Sequence, residues 1–419
     1  MGMNPFQEKG VPIDKQIRNW STLNTKPYDP ATVHPYTRTR GILMNGIETE
    51  AVLFYHNFHR HCEDFDLKRQ LAMIRRVEQQ EQKMVNWTIP SGETTLEVTI
   101  GYEQLAVDLT ASMAKNEPDK YVKAALDFAL IEDFDHLYRY ANLMSSIDPK
   151  KADAIVKDLT EVMPGRPTAV EHRHPFDTIR KHYDRASADP LTKMHVSTII
   201  AAEQQTMNYY MNVGNRFEDV IARGLYQEIG MIEEQHVTHY GSLEDPRASW
   251  FEMAVLHEYN ECYLYYSCMQ SEPDNQIKSV WEQMLDYEIT HLQMTVDMMK
   301  KYENKDPIPL YPTEFPKPLI LESSKDYVRS VIANQLHLTS DRTEMVPLKN
   351  AENKDRFIGY LNTVNSGEYI PTQQIIADAI LNNNSDYRIE SNGPHPVPIL
   401  KDRSSIPSPN EIIEYSLSK

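Results

Sequence analysis

The feature that most constrains this chain is an internal repeat. Sliding the sequence along itself by 155 residues places Glu48 on Glu203, Tyr55 on Tyr210, Asn57 on Asn212, Glu78 on Glu233, Gln80 on Gln235 and Glu103 on Glu258. Further along, Ser112 meets Ser267, Glu117-Pro-Asp119 meets Glu272-Pro-Asp274, Lys123 meets Lys278, and His136-Leu137 meets His291-Leu292. No gap interrupts the match. A fixed period of this length marks a duplicated structural unit.

The unit is helical. Apolar residues recur at three- and four-residue spacing, and candidate helices run over 44–62, 66–87, 97–115 and 118–145, then over 191–213, 218–240, 249–270 and 273–302. The 419 residues include only 14 glycines, which suits long helices better than many tight turns. The 26 prolines crowd the two ends, and proline breaks helix interiors. The expectation is an all-α fold of two tandem four-helix bundles. An N-terminal arm (1–40) precedes a first bundle (41–146). A spacer with one short helix, Lys150–Val162, fills 147–190, and a second bundle covers 191–304. An extended C-terminal arm (305–419) carries two short helices, Ser324–Leu336 and Pro371–Leu381.

Composition narrows the function classes. The net charge of −18 opposes a phosphate-backbone partner, so no nucleic acid is expected. No stretch approaches the roughly 18 uncharged apolar residues of a membrane helix. Residues 1–15 show no signal-peptide pattern. Cys62, Cys262 and Cys268 form no CxxC pair and build neither a disulfide framework nor a thiolate zinc site. A cytoplasmic setting is expected.

Polar residues sit where the helices predict a core. In the second copy, Glu233-Glu-Gln-His236 and Glu288-Ile-Thr-His291 are Glu-x-x-His pairs, and an (i, i+3) pair shares one helix face. Glu203 and Glu258 are single glutamates among apolar neighbours on the other two helices. Buried unpaired carboxylates cost several kcal/mol each. Two divalent cations would neutralise these four.

This order, Glu, Glu-x-x-His, Glu, Glu-x-x-His, resembles the ferritin-like di-iron or di-manganese carboxylate superfamily. The resemblance spans 44–302 and implies two iron ions, or manganese, in the second bundle, held by Glu203, Glu233, His236, Glu258, Glu288 and His291. Glu261, three residues beyond Glu258, is similar to the extra carboxylate of rubrerythrins. There it would exchange with His236 as the iron changes oxidation state, although the chain lacks the rubredoxin cysteines of that family. Its other reading is a solvated or salt-bridged neighbour. By register the first copy offers Glu48, Glu78, Glu81, Glu103, Asp133 and His136. This more oxygen-rich set would hold one or two further ions, or its acids would pair with Arg75, Arg76 or Arg139.

The resemblance implies an oxidoreductase using dioxygen or hydrogen peroxide, a peroxidase or small-molecule oxidase or oxygenase, supplied by an external electron donor and acting on peroxide itself or on a small organic substrate. A ferritin-type ferroxidase and a non-catalytic helical scaffold are the alternatives. The arms would serve as a lid or embrace a second copy, and a homodimer is expected. Tyr55 and Tyr210 could donate to ligands, though core packing is commoner for tyrosine. Cys262 reads as a small hydrophobe, and His56, His59, His61, His172 and His174 read as exposed titrating groups.

Overall fold

A computed structural model describes residues 2–419. Eight long helices carry the repeat: α1 (Pro35–Arg60), α2 (Phe65–Asn86), α3 (Thr95–Asn116), α4 (Lys120–Ile147), α5 (Pro190–Val213), α6 (Val220–Gly241), α7 (Trp250–Ser271) and α8 (Asn275–Glu303). Their start signals repeat at the same period. Proline opens α1 and α5, where its missing N–H is no loss. Asp64 and Asp219 cap α2 and α6. Capping boxes Thr94/Glu97 and Ser249/Glu252 start α3 and α7, and Asp119 and Asp274 cap α4 and α8. Each such cap contributes about 1 kcal/mol.

The chain forms two compact units, and neither is a continuous half of the sequence. Unit 1 comprises Met1–Glu93, Tyr183–Gln205 and Glu244–Ile320; unit 2 comprises Thr94–His182, Thr206–Leu243 and Leu321–Lys419. In unit 1 the hairpin α1–α2 packs on the hairpin α7–α8, through α1 on α7 and α2 on α8. In unit 2, α4 packs on α3 and on α6. The expected division into 41–146 and 191–304 is therefore corrected: each unit draws helices from both copies of the repeat.

Loop length explains why the tandem arrangement fails. A ferritin-like bundle needs one long crossover along the bundle. A helix of 22 residues is about 33 Å long. The link 87–94 would reach about 30 Å only at full stretch. It is instead coiled, with Trp87 N–H donating to the Lys83 carbonyl and Glu93 N–H to the Pro90 carbonyl. Link 242–249 is coiled likewise, through Ser242 to Thr238 and Ala248 to Asp245.

The arms are ordered against their own units. In unit 1, Val11 N–H donates to the Asp286 carbonyl at 2.9 Å, and Tyr263 O–H to the Lys317 carbonyl at 2.8 Å. In unit 2, the fully buried Arg139 donates to the Thr372 carbonyl at 2.8 Å. The tail holds helices Lys325–Gln335 and Pro371–Asn383 as expected, plus Lys354–Val364 and Pro409–Leu417. It also holds one antiparallel hairpin, Leu338–Asp341 with Glu344–Pro347, so the fold is mostly rather than wholly helical. In the spacer, Lys150–Val162 contains only a single turn, Asp153–Val156. The following loop is pressed onto α4. A Cβ at Gly165 would collide with the Ile131 carbonyl, and Gly165 N–H donates to Asp135 Oδ1 at 3.1 Å. No helix among the described residues is long and apolar enough to cross a membrane.

Candidate metal centres

Unit 1 brings seven chelating side chains into its interior. Glu48 comes from α1, Glu78 and Glu81 from α2, Glu258 and Glu261 from α7, and Glu288 and His291 from α8, all at most 1 % exposed. The (i, i+3) spacing places each pair on one helix face. Ligand atoms of Glu78, Glu81, Glu288 and His291 lie within 4.8 Å of one another, as do those of Glu78, Glu258, Glu261 and Glu288.

No lysine or arginine offsets these acids. Burial, reinforced by mutual repulsion, holds Glu48, Glu81, Glu258 and Glu261 well above the ordinary carboxylate range and pushes Glu78 up to about 7. Both oxygens of Glu78, Glu81 and Glu261 lack a hydrogen-bond donor. Tyr265 O–H donates to Glu48 Oε1 and Tyr55 O–H to Glu258 Oε1, which leaves the Oε2 atom of each glutamate without a partner. Such orphaned acceptors, converging from four helices, could hold a metal ion.

His291 is oriented by an amide. Gln16 donates through Nε2 to the Val11 carbonyl at 2.8 Å and to the Tyr287 carbonyl at 3.4 Å. Its Oε1 must therefore accept from His291 Nε2–H, at 2.8 Å. His291 Nδ1 then faces Glu78 at 2.9 Å and Glu288 at 3.2 Å. Burial opposes the imidazolium, but Glu288 and Glu78 outweigh it and raise the His291 pKa well above its usual value.

Unit 2 assembles a different set. Asp133, Glu233 and His236 offer ligand atoms within 4.8 Å of one another, and so do Glu103, His136 and Glu233. His136 Nδ1 lies 3.0 Å from Glu233, and His236 Nδ1 lies 3.1 Å from Asp133 and 3.2 Å from Glu233. The two imidazoles outweigh the burial of Glu233 and lower its carboxyl to about 2. Tyr210 O–H donates to Glu103 Oε1 and leaves Oε2 without a partner, as Tyr55 does for Glu258 in unit 1.

Behind the histidines of unit 2 stand carboxylates. His236 Nε2 meets Glu132 at 2.9 Å and His136 Nε2 meets Glu171 at 3.0 Å. Arg166 and Arg173 both pair with Glu132, overcome its burial and hold it well below the usual range. Such partners fix which imidazole nitrogen faces a metal and raise its basicity.

The expected grouping of ligands is accordingly corrected. Glu233 and His236 join Glu103, Asp133 and His136, whereas Glu258, Glu261, Glu288 and His291 join Glu48, Glu78 and Glu81. Glu203 is buried on α5, two turns ahead of Tyr210. The suggested exchange of Glu261 with His236 fails because they stand in different clusters; Glu81 holds the repeat position of His236 in the unit 1 cluster. Of the arginines considered as partners for first-copy acids, Arg139 pairs with Asp135 at 2.9 Å, which is not a cluster acid. Cys262 is fully buried, and burial followed by Glu288 and Glu258 pushes its thiol up well above the usual range.

Sequence reasoning missed Gln16, Glu132, Glu171, Arg166 and Arg173. Glu132 adjoins Asp133 and was readable as a second acid on α4. Glu171 and Arg173 flank His172, which is buried rather than exposed and lies 3.4 Å from Glu228. No family model, curated protein or solved structure matches the chain.

Proposed function

We propose that the chain is a di-metal carboxylate oxidoreductase of ferritin-like kind, reacting with dioxygen or hydrogen peroxide at the unit 1 cluster. The supporting observation is the set of buried, unpartnered carboxylate oxygens from Glu48, Glu78, Glu81, Glu258, Glu261 and Glu288 around His291. An oxygen-rich site of this kind suits iron or manganese. Glu78, Glu81, Glu258, Glu261, Glu288 and His291 would hold two ions, with Glu48 completing the set. The bound pair would supply electrons to an oxygen substrate and be re-reduced by an external donor.

The remaining contributions belong to the chain. Gln16 accepts from His291 Nε2–H and so keeps Nδ1 turned toward the carboxylates. Tyr55 and Tyr265 each engage one oxygen of a carboxylate and leave the other available. Glu81 and Glu261, whose oxygens have no donors, are free to change rotamer as the charge of the site changes. Full burial excludes bulk water, which strengthens every charge interaction inside. The unit 2 cluster, with its buttressed imidazoles, is proposed as a second, stiffer metal site.

A ferritin-type ferroxidase is the second reading, favoured by the same excess of acid in unit 1. Metal analysis by mass spectrometry, with oxygen and peroxide turnover, separates the readings. The oxidoreductase predicts about two iron or manganese ions per cluster and turnover lost in Glu78→Ala/His291→Ala but kept in Glu233→Ala/His236→Ala. Iron accumulating far beyond that stoichiometry supports the ferroxidase. A chain without metal, or turnover indifferent to the first variant, overturns the proposal.

A further inference from the structure

Unit 1 contains a cavity of about 140 Å³ that includes none of the seven cluster residues. Its α1 wall is Glu50 and Phe54, and Glu50 lies two residues beyond Glu48, about 200° around the helix and so on the opposite face. Leu256 and His257 of α7, Ile200 of α5, Met299 of α8 and Glu244 of the 242–249 link complete the part used here.

The cavity wall combines apolar and acidic side chains. Phe54, Ile200, Leu256 and Met299 offer an apolar surface, and the His257 ring lies 4.5 Å from that of Phe54. A void of this size accommodates about one benzene ring. The same wall carries Glu50 and Glu244, close enough to repel. Burial, with Glu50 adding and His257 opposing, pushes the Glu244 carboxyl up to about 7.

The basic residues nearby are already engaged. Arg185 pairs with Glu252, and Lys193 donates to the Arg185 carbonyl at 2.6 Å. Arg247 donates to Asp245 at 2.6 and 2.8 Å. Glu50 and Glu244 have no arginine or lysine partner. Their one basic neighbour is His257, with Nδ1 3.2 Å from Glu50. A single imidazole carries at most one proton for two acids. Half-buried carboxylates without a counter-charge beside an apolar recess call for a ligand that brings a cation on a hydrocarbon body.

We propose that this cavity binds a small organic ammonium with an aryl or branched alkyl body, its cation received by Glu50 and Glu244 and its body by Phe54, Ile200, Leu256 and Met299. The site is independent of the metal-centre reading, because it shares no side chain with either cluster.

Isothermal titration of the full chain as purified tests it, with 2-phenylethylamine as probe and 2-phenylethanol and 3-phenylpropanoate as neutral and anionic controls. One amine per chain should bind, with the alcohol at least about tenfold weaker and the carboxylate not at all. Glu50→Gln and Glu244→Gln preserve shape, and each should weaken the amine about tenfold. Glu78→Ala/His291→Ala should leave amine binding unchanged, so failure of the metal reading does not decide this one. Amine and alcohol of equal affinity, glutamine variants that bind like the parent, or no amine binding at all would each overturn the proposal.

Discussion

The two clusters start from the same repeat and end in different electrostatic states. In unit 1, six carboxylates share one histidine whose outer nitrogen meets a neutral amide, Gln16. In unit 2, two histidines face Asp133, Glu103 and Glu233, and behind them stand Glu171 and Glu132, the latter paired with Arg166 and Arg173. The first cluster is an excess of acid awaiting positive charge. The second sets two imidazoles against its acids and is more nearly balanced, although Glu103 Oε2 and both Asp133 oxygens still accept no hydrogen bond. Ligand identity at a few repeat positions therefore sets how much positive charge a bundle core calls for.

Glu132→Ala gives the largest effect expected on this contrast. It leaves Arg166 and Arg173 buried without their carboxylate, and breaking such a pair costs about 3–5 kcal/mol. Denaturant unfolding should register the loss with or without metal. A change below 1 kcal/mol would mean that unit 2 is not held by that network.

pH should separate the units next. The Glu78 carboxyl is raised to about 7 in the folded chain, against an ordinary value of 4.5. Its stabilising contribution is complete below the ordinary value and lost as pH rises through about 7. Glu233, lowered to about 2, contributes above the ordinary value and loses its effect as pH falls through about 2. Scanning calorimetry of the metal-free chain should show the melting temperature falling between pH 5 and 7. Glu78→Gln should flatten that slope, and Glu233→Gln should change only the acid side. A slope unaffected by Glu78→Gln would break the comparison.

Gln16→Leu carries the smallest effect. It removes the acceptor of His291 Nε2 at a cost of about 1–3 kcal/mol and should weaken metal binding by about tenfold, as loss of such orienting partners does. Competition against a chelator measures it. Equal affinity in parent and variant would show that His291 needs no orientation.

Much of this was legible in the sequence. The period, the hairpins and the acids and histidines of both clusters follow from spacing alone. What spacing cannot reveal is which hairpin packs on which. Because the copies share one pattern, α1–α2 presents nearly the same face to α3–α4 as to α7–α8. Loop reach carried the missing information, since residues 87–94 are too short to run the length of a helix. The start of α1 at Pro35 was also readable, because the period carries it from Pro190. So was the tail helix at Pro409, through its Ser408/Glu411 capping box. Gln16, Glu132 and Glu171 had no periodic signal, because their roles arise from partners distant in sequence.

The interleaved order of the units sets how the chain must be made. Unit 1 draws on segments on both sides of unit 2's first segment and cannot close until α8, ending at Glu303, has been translated. Unit 2 waits for the tail. Throughout that interval α1–α2 and α3–α4 present acidic, half-apolar faces with no partner, the kind of exposed intermediate that folds slowly and associates readily. A gene split within 148–189 should therefore yield two fragments that each lack half of both centres, and that recover metal binding only when expressed together.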